Sequence, residues 1–454
     1  MLGRVSASTK SSTLEGWGRV PVVRGVERRS EDLRGLTVGR PLSRGLGRSY
    51  GDSSLPAAGD LEVASTTLAD RILSFDETTG LMRAEAGLSL REIYRLFLPR
   101  GWFVPVTPGT TFVTLGGMVA ADVHGKNHHL AGCFGAHITE LVLRVADGRV
   151  VTCSPTVESE LFRATIGGMG LTGHILEVTF RMERVSSPWL WQETERFPNI
   201  DAFMEGLKGA SATWPLTGGW IDCLTGGRHL GRSLLFKSRW ATAAEAPAAS
   251  PRPNKRLTVP FEMPSFVMGR LSIRVFNELV YRQPLSHGIV HPEKVFYPLD
   301  KIWHWNRIYG RGGFTQHQCV LPTAAGTGAV RRFLELLVSR GGASFFCVIK
   351  DCGAEGAGML SFPMAGTSIA LDIAVRRDTQ ALIDALNEQV IKEGGRIYLA
   401  KDAFTRAEHY RAMDPRVDEF LRVRRKWDPE GRLRSAQSVR LFGDAPPVMR
   451  GGSS

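Results

Sequence analysis

Residues 104–129 read VPVTPGTTFVTLGGMVAADVHGKNHH and hold the most informative pattern in the chain. Pro108-Gly109 predicts a turn, and Gly116-Gly117 precede a small-residue segment, MVAADVHG, that we expect to form a short helix. Two glycines at a helix start let a pyrophosphate approach the backbone N–H groups and the positive end of the helix dipole. The histidine-rich end, HGKNHH, is compatible with a metal site, a nucleic-acid contact or the lining of a cofactor pocket.

Two more glycine-rich stretches flank this one in the chain. RGLGRSYGDSS (44–54) has three glycines in seven residues, which lets successive N–H groups form a nest for phosphate oxygens. TIGGMGLTGHI (165–175) indicates another close backbone approach. Neither stretch is a GxGxxG fingerprint or a P-loop, and a plain turn remains the alternative for the first.

Length and composition limit the class of protein. A chain of 454 residues predicts two or three domains, and a net charge of +12 favours an anionic partner. The basic residues are scattered, which disfavours nucleic acid as that partner. The six cysteines form no CxxC pair, as is typical of a reducing compartment. We expect a cytoplasmic protein, because no secretory h-region and no apolar run of about 18 residues is present.

Residues 35–190 alternate short strands with glycine turns. Strands are predicted in 81–87, 140–154 and 174–183, with a hairpin turn at Asp147-Gly148. A helix is predicted over 88–101, ending at Gly101. This pattern predicts an α+β domain.

Residues 316–401 predict the order β-α-β-β-α-β, which is that of a split βαβ layer. Asp378 is the expected N-cap of the second helix. Lys350 and Lys401 are expected at the C-terminal ends of two strands, aimed at a ligand; two surface lysines are the alternative.

Two segments between these regions have ambiguous roles. Residues 241–256 are small, polar and Pro-containing, which predicts a mobile surface loop or a lid over a cleft. Residues 259–282 are rich in Phe, Met, Leu and Val. They are expected either to shelter a prenyl chain or to form ordinary core.

Taken together, GLGRSYGD, PGTTFVTLGGMVAADVHGKNHH, GGMGLTGHI and YLAKD (398–402) resemble the PCMH-type, or vanillyl-alcohol-oxidase, flavoenzymes. HGKNHH, LEGWGR (14–19), HWNRIYG (304–310) and QHQCVLP extend the resemblance, over nearly the whole chain, to the decaprenylphosphoryl-β-D-ribose 2′-oxidase family. The implied fold class is α+β: a two-part PCMH-type FAD-binding domain and a substrate domain with the β-α-β-β-α-β antiparallel layer. The implied ranges are 1–187 and 397–454 for the former and 188–396 for the latter.

The resemblance implies oxidation of a secondary sugar hydroxyl on a lipid-linked phosphosugar, with hydride transfer to FAD. The implied partners are a keto-reductase that completes an epimerisation and the inner face of a membrane, contacted peripherally. A soluble sugar, alditol or aldonolactone oxidase of the same superfamily is the alternative. A flavin-free anion- or nucleic-acid-binding protein with this fold is a further hypothesis.

The resemblance also implies the site residues. Lys401 is expected to offset the negative charge of reduced flavin, and His124 or Lys401 to accept the hydroxyl proton. The expected cofactor-binding residues are Arg44, Gly45, Leu46, Gly47, Arg48, Ser49, Tyr50, Gly51, Asp52, Gly109, Thr114, Leu115, Gly116, Gly117, His124, Gly125, Lys126, Asn127, Ile175 and Tyr398. The expected substrate-binding residues are Lys126, Trp220, Gln316, Gln318, Lys350, Ser368 and Ala370.

Three local features refine these expectations. His128 and His129 are adjacent on an expected turn and do not easily face one ion, which disfavours a metal site. Many superfamily members attach FAD to a histidine where this chain has Arg48, so the FAD is expected to be non-covalent. Ala370 stands where mycobacterial relatives have the cysteine that captures reduced nitroaromatic inhibitors.

Overall fold

The computed structural model describes residues 12–252 and 254–445, and the structural statements below refer to these residues. The sequence-based expectations for residues 1–11 and 446–454 lie outside the described residues. The α-helices are α1 (Leu33–Leu36), α2 (Leu90–Phe97), α3 (Leu115–Ala120), α4 (His128–Ala131), α5 (Ser159–Thr165), α6 (Ile200–Ser211), α7 (Arg270–Arg282), α8 (Pro292–Phe296), α9 (Gly328–Ser339), α10 (Thr379–Lys392), α11 (Ala407–Met413), α12 (Val417–Trp427) and α13 (Ala436–Phe442).

Strands make up the rest of the regular structure. They are β1 (Ser12–Glu15), β2 (Val22–Arg29), β3 (Ser43–Arg44), β4 (Glu62–Ser65), β5 (Ile72–Asp76), β6 (Leu81–Glu85), β7 (Trp102–Phe103), β8 (Ile138–Arg144), β9 (Val150–Cys153), β10 (His174–Arg181), β11 (Glu183–Arg184), β12 (Leu190–Phe197), β13 (Leu216–Ile221), β14 (Ser233–Trp240), β15 (Leu257–Thr258), β16 (His287–Val290), β17 (Ile302–Trp303), β18 (Phe314–Pro322), β19 (Cys347–Cys352), β20 (Gly366–Ala374) and β21 (Arg396–Ile397).

The first 190 residues form two larger sheets and a two-stranded pair of β7 with β11. One has the strand order β1-β2-β4-β3, and the other, antiparallel sheet has the order β5-β6-β10-β8-β9. The predicted hairpin is confirmed: β8 pairs with β9 through a turn in which Gly148 has φ 92°. The predicted helix over 88–101 is also confirmed as α2, which Ser89 caps, followed by a short 3₁₀ turn that ends at the left-handed Gly101.

The third large sheet has eight strands in the order β16-β12-β14-β13-β19-β20-β18-β21. Its strands pair antiparallel throughout, so a mixed fold with antiparallel sheets is confirmed. In chain order, the elements after residue 313 are β18, α9, β19, β20, α10 and β21.

Alternation along β18 divides this sheet into two faces. Gln316 pairs with Asp372 and Gln318 with Ala370, so these side chains share one face. His317 lies on the other face, where its ring packs near Phe333 of α9. The sheet therefore carries helices on one face and leaves the other, partly polar face for the site.

Several local expectations were wrong. The predicted strand 396–401 is limited to Arg396–Ile397, so Lys401 lies in a turn after it, and Lys350 lies inside β19 rather than at its end. Asp378 occupies the cap position of α10, but its side chain makes no capping hydrogen bond. The hydroxyl of Thr379 instead accepts from the N–H of Arg376 at 2.8 Å and so fixes the turn before the helix.

The two ambiguous segments differ in structure. Residues 241–252 and 254–256 contain no helix or strand, and Trp189 Nε1 donates to the carbonyl of Ala249 at 2.9 Å; the mobility of this loop stays a prediction. The core alternative for residues 259–282 holds only in part: Val259, Met268 and Ile273 are buried, but other large apolar side chains there face solvent. Leu271 is 75% exposed and Leu279 is 68% exposed. No α-helix of the described chain has the length and apolar character needed to cross a bilayer.

Candidate functional site

A cavity of about 850 Å³ lies between the glycine-rich loops and the polar face of the eight-stranded sheet. We call the loop side the glycine wall (residues 45–50, 107–117 and 169–175) and the sheet side the sheet wall (Trp220, Gln316, Gln318, Val348, Lys350, Ser368 and Ala370). The predicted site residues that line the cavity are Gly45, Leu46, Gly47, Arg48, Ser49, Tyr50, Gly109, Thr114, Gly116, Gly117, His124, Gly125, Lys126, Ile175, Trp220, Gln316, Gln318, Lys350, Ser368, Ala370, Tyr398 and Lys401.

The glycine wall has the features of a cradle for a large anionic cofactor. No described residue accepts a hydrogen bond from the backbone N–H of Gly47, Arg48 or Ser49. A Cβ at Gly109 would meet nothing within 4 Å, and one at Gly117 would meet only the hydroxyl of Thr114 at 3.2 Å. Open space beside glycine and unpaired N–H groups both fit a bound dinucleotide.

Helix α3 corrects the predicted position of the short helix. It begins one residue before the glycine pair, with Thr114 as the N-cap accepting from the N–H of Gly117, and it ends at Ala120. Gly116 and Gly117 therefore lie in its first turn rather than before it. The segment after it bends at Asp122, which has φ 38°, and His124 then bridges to Cys133.

His124 is a buried, neutral imidazole at the centre of the site. Gln318 Nε2 donates to His124 Nε2 across 2.9 Å, and His124 Nδ1 has no partner among the described residues. Burial lowers the pKa of His124 well below its usual value, and the nearby Lys350 and His128 lower it further. The ring also lies 4.9 Å from the ring of Tyr398, centroid to centroid.

Lys401 reaches the cavity from its turn. Its Nζ lies 3.9 Å from the ring centroid of Tyr50, a cation–π distance. Burial lowers the pKa of Lys401 to about 7, while the nearby Asp372 opposes that shift and Lys350 adds to it. A neutral amine is therefore available at neutral pH.

Lys126, Lys350 and Lys401 are three of the five lysines that line the cavity. None of the three makes an ion pair with a carboxylate in the described part of the chain. Burial lowers the pKa of Lys126 to about 8 and also lowers that of Lys350. The cavity thus has a positive potential and amines that titrate near neutral pH.

Asp372 is a buried carboxyl that the sequence analysis missed. Gln316 Nε2 donates to it at 2.6 Å and the Tyr309 hydroxyl donates to it at 3.0 Å. Burial raises its pKa, which the two hydrogen bonds and Lys401 partly offset. Its position was readable in principle, because Asp372 lies two residues after Ala370 on the same strand face.

Five predicted cofactor residues do not line the cavity. They instead hold the loops in place: Arg44 pairs with Glu27, Asp52 pairs with Arg440, Asn127 Nδ2 donates to the Pro105 carbonyl at 2.8 Å, Leu115 is fully buried, and a Cβ at Gly51 would meet the Asp402 carbonyl oxygen. These residues support the site without facing it.

The paired histidines also have structural contacts. His128 and His129 lie in α4 rather than on a turn. His128 Nδ1 accepts from the N–H of Gly353 at 3.0 Å, and His129 Nε2 bonds the Trp214 carbonyl at 2.9 Å. Within residues 12–252 and 254–445, no group of three His, Cys, Asp or Glu side chains is arranged to hold a metal.

Comparison with known proteins agrees with this geometry. Residues 40–154 match the FAD-binding domain family, a range that contains most of the glycine wall. The decaprenylphosphoryl-β-D-ribose oxidase of Mycolicibacterium smegmatis is 34% identical over 95% of this chain and 98% of its own length. An uncharacterised protein of Streptomyces coelicolor is 31% identical over 78% of this chain and its full length.

A third relative is similar over a shorter range. The putative D-arabinono-1,4-lactone oxidase of Neurospora crassa is 33% identical, but over only 25% of this chain and 20% of its own length. The full-length similarity is thus to the ribose oxidase and not to the lactone oxidase. The chain belongs to the decaprenylphosphoryl-β-D-ribose oxidase family of FAD-dependent oxidoreductases.

Proposed function

We propose that this chain oxidises the 2′-hydroxyl of a polyprenylphosphoryl-ribose to the 2′-keto form. The main support for this proposal is that the glycine wall, which fits a cofactor, lines the same cavity as Gln318, Lys350 and Lys401. Its relative from Mycolicibacterium smegmatis is named as an oxidase of decaprenylphosphoryl-β-D-ribose and spans nearly the whole chain. The positive potential of the cavity suits an anionic substrate.

The cofactor would be held by the unpaired N–H groups of Gly47, Arg48 and Ser49 and would pass Gly117 and Tyr398. When bound, FAD supplies the hydride acceptor at flavin N5. We infer non-covalent attachment, because Arg48 replaces the histidine that forms the covalent bond in other members of the superfamily. Acid precipitation should then release all yellow colour into the supernatant.

Two chain segments would form the FAD-binding domain, 1–187 and 397–454, with 188–396 as the substrate domain. Contacts between the segments support this division. Arg440 of α13 pairs with Asp52 at 2.7 Å, and the backbone N–H of Tyr50 donates to the Ala400 carbonyl at 2.9 Å. The C-terminal segment is thus tied to the first glycine loop.

Lys401 is the group that accepts the hydroxyl proton in this proposal, and His124 positions its neighbours. His124 Nε2 already accepts a hydrogen bond from Gln318 Nε2, so it is not free to take a proton from the substrate. The amine of Lys401, by contrast, makes no hydrogen bond within the described chain. Its lowered pKa provides the neutral amine that a base requires. After taking the proton, Lys401 is a cation beside the site, which offsets negative charge on the reduced cofactor.

Gln318, Lys126 and Lys350 would contact the sugar. Gln318 Nε2 lies 3.3 Å from Ser368 Oγ, so His124 and Ser368 fix the orientation of its amide. A fixed orientation places the reacting carbon without loss of side-chain entropy on binding.

A peripheral membrane contact would deliver the lipid-linked substrate. Leu271, Val275 and Leu279 recur every four residues on α7 and are exposed, and Arg270 and Arg274 on the same helix are also exposed. Phe276 of this helix lines the cavity, so the face is continuous with the site. Apolar side chains beside basic ones suit an anionic lipid surface on the cytoplasmic side.

A vesicle assay tests this contact. The protein should sediment with vesicles of anionic phospholipid, and Leu271→Asp/Leu279→Asp should remain in the supernatant. Leu61→Asp, at an exposed leucine of the β1-β2-β4-β3 sheet region, is the matched control and should sediment like the unmodified protein. Equal sedimentation of all three would contradict a contact through α7.

The proposed reaction is tested by product analysis. The holoenzyme is supplied with a polyprenylphosphoryl-ribose, and separately with free pentoses, alditols and aldonolactones. We expect a product that has lost two hydrogen atoms at C2 from the lipid-linked sugar alone, which a partner keto-reductase would then reduce to the epimer. Efficient turnover of a free sugar or lactone, with none of the lipid-linked sugar, would favour the soluble-substrate alternative.

A further inference from the structure

Three guanidinium groups surround one aromatic ring at the edge of the cavity. The Cζ atoms of Arg48, Arg91 and Arg256 lie 5.0, 5.4 and 5.7 Å from the ring centroid of Phe112. The arginines come from the first glycine loop, from α2 and from the residue before β15, so only the tertiary fold brings them together.

These arginines lack the partners that most arginines of this protein have. None of the three forms an ion pair or donates a side-chain hydrogen bond within the described residues, and Arg48 Nε is buried without a partner. By contrast, Arg95, one helical turn from Arg91, pairs with Glu92 at 2.8 Å. Like charges held together without counter-charges indicate a site that an anion completes.

The carboxylates that act on this cluster already have other partners. Asp300 accepts hydrogen bonds from the backbone N–H and the hydroxyl of Thr111, both at 2.7 Å. Its charge raises the pKa of Arg48, but burial dominates and lowers that pKa to about 10. The charges of Glu92 and Glu293 also raise the pKa of Arg91. Glu92 pairs with Arg95 and Glu293 accepts a hydrogen bond from Asn254 Nδ2, so none of these carboxylates forms an ion pair with an arginine of the cluster.

The position of the cluster is at the solvent side of the cavity. Arg48 and Phe112 line the cavity, together with Trp303, which is 41% exposed. Arg91 and Arg256 are partly exposed and flank these residues from outside. A ligand in the cavity can therefore reach all three side chains through this edge.

We propose that Arg48, Arg91 and Arg256 form a binding site for a phosphoryl group. A guanidinium offers two parallel donors to phosphate oxygens and keeps its charge at all physiological pH values, which the buried cavity lysines do not. The phosphoryl group belongs either to the diphosphate of the cofactor or to the lipid-linked phosphosugar; the second source rests on the proposed function.

The test uses the double variant Arg91→Gln/Arg256→Gln. Both side chains are partly exposed and make no hydrogen bond, so their replacement leaves the folded structure intact. The matched control is Arg100→Gln/Lys255→Gln, which removes two exposed cations near the same elements that form no ion pair within the described residues. Calorimetry measures the binding of farnesyl phosphate, with farnesol as the neutral analogue, to the holoenzyme. FAD and riboflavin binding are measured on protein freed of its flavin.

Because charge-assisted hydrogen bonds are strong, we expect the loss of each guanidinium to weaken binding by about tenfold. The double variant should therefore bind one of the phosphorylated ligands about 30- to 100-fold more weakly than the unmodified protein. Farnesol, riboflavin and the control variant should be unaffected. A loss for farnesyl phosphate identifies the substrate as the source, and a loss for FAD identifies the cofactor. Affinities for both within about twofold of the unmodified protein would overturn the site.

The outcome is separable from that of the proposed reaction. Weaker farnesyl phosphate binding in the double variant supports the site even if the unmodified protein fails to oxidise polyprenylphosphoryl-ribose. Conversely, normal oxidation of that substrate by the double variant, with both affinities unchanged, retains the reaction and removes the arginine site.

Discussion

On the glycine wall of the cavity the residues contribute mostly backbone, whereas on the sheet wall they contribute side chains. Gly47 has a backbone N–H without a partner among the described residues, and Gly109 and Gly117 leave open space toward the cavity. Gln318, Lys350 and Ala370 project from paired strands whose register sets the face they occupy. A backbone cradle suits a large cofactor bound in one position, and alternating side chains allow substrate chemistry to vary by substitution.

The largest loss of turnover is expected on replacing Lys401, which lines the cavity and contacts Tyr50 of the glycine wall. Lys401→Ala removes the proposed proton acceptor and the cation beside the cofactor, so turnover should fall about 10²- to 10³-fold while FAD remains bound. Lys392→Ala, at an exposed lysine in the last turn of α10, is the control. A Lys401→Ala protein with normal turnover, or one that loses thermal stability instead, would show that the lysine is structural.

The second prediction tests whether FAD occupies the open space beside the glycines of the glycine wall. Gly117→Val fills a position that is empty in the protein alone, so FAD affinity should fall roughly 10- to 100-fold by steric conflict. Gly209→Val provides a matched control, because Gly209 is an exposed helical glycine with no atom within 4 Å of its Cβ direction. Equal FAD affinity of the two variants would place the cofactor elsewhere.

A smaller effect is expected in the pH dependence of turnover. Because only a neutral amine accepts a proton, turnover should rise with pH through the pKa of Lys401, which burial lowers to about 7. Asp372 raises that pKa, so Asp372→Asn should lower it and shift the rise by about one pH unit toward acid. Tyr309→Phe removes one hydrogen bond but keeps the carboxyl, and is the comparison variant. A shift of the Asp372→Asn profile toward alkaline pH would contradict this role.

The smallest effect on turnover is expected at Ala370, which lines the cavity between Gln318 and Val348. Ala370→Cys adds one atom, so turnover should stay within about threefold of normal. The variant should nevertheless gain time-dependent inactivation by nitroaromatic inhibitors, seen as an adduct in intact-protein mass spectrometry. The unmodified protein should form none, because Cys347 and Cys352 are buried and do not line the cavity.

The two walls also differ in how far the sequence predicts them. Glycine motifs are local, so the residues alone indicate a cofactor site in the loops at 44–54 and 107–117. The predicted start of α3 was wrong, because Thr114 caps the helix before the glycine pair. The side chain of Asn127 does not line the cavity, because it donates to the Pro105 carbonyl. These outcomes depend on tertiary hydrogen bonds that no local pattern encodes.

On the sheet wall, the strands were predictable but their neighbours were not. The element order predicted for residues 316–401 included β18 and β20, yet the register that pairs Gln316 with Asp372 is a long-range property. Asp372 and the arginines Arg91 and Arg256 beside Phe112 were therefore missed, whereas Arg48 was predicted as a cofactor-binding residue. The exposed face of α7 was missed for the same reason, since composition alone does not separate core from surface.

The central claim is hydride transfer from C2 of the lipid-linked sugar inside this cavity. It is tested most directly by mixing the oxidised holoenzyme anaerobically with a polyprenylphosphoryl-ribose and following the visible absorbance of the bound FAD. The bands should bleach in a single turnover, and deuterium at C2 should slow the bleaching, whereas deuterium at C3 should not. Bands that persist with this substrate, or an isotope effect from C3 alone, would contradict the account.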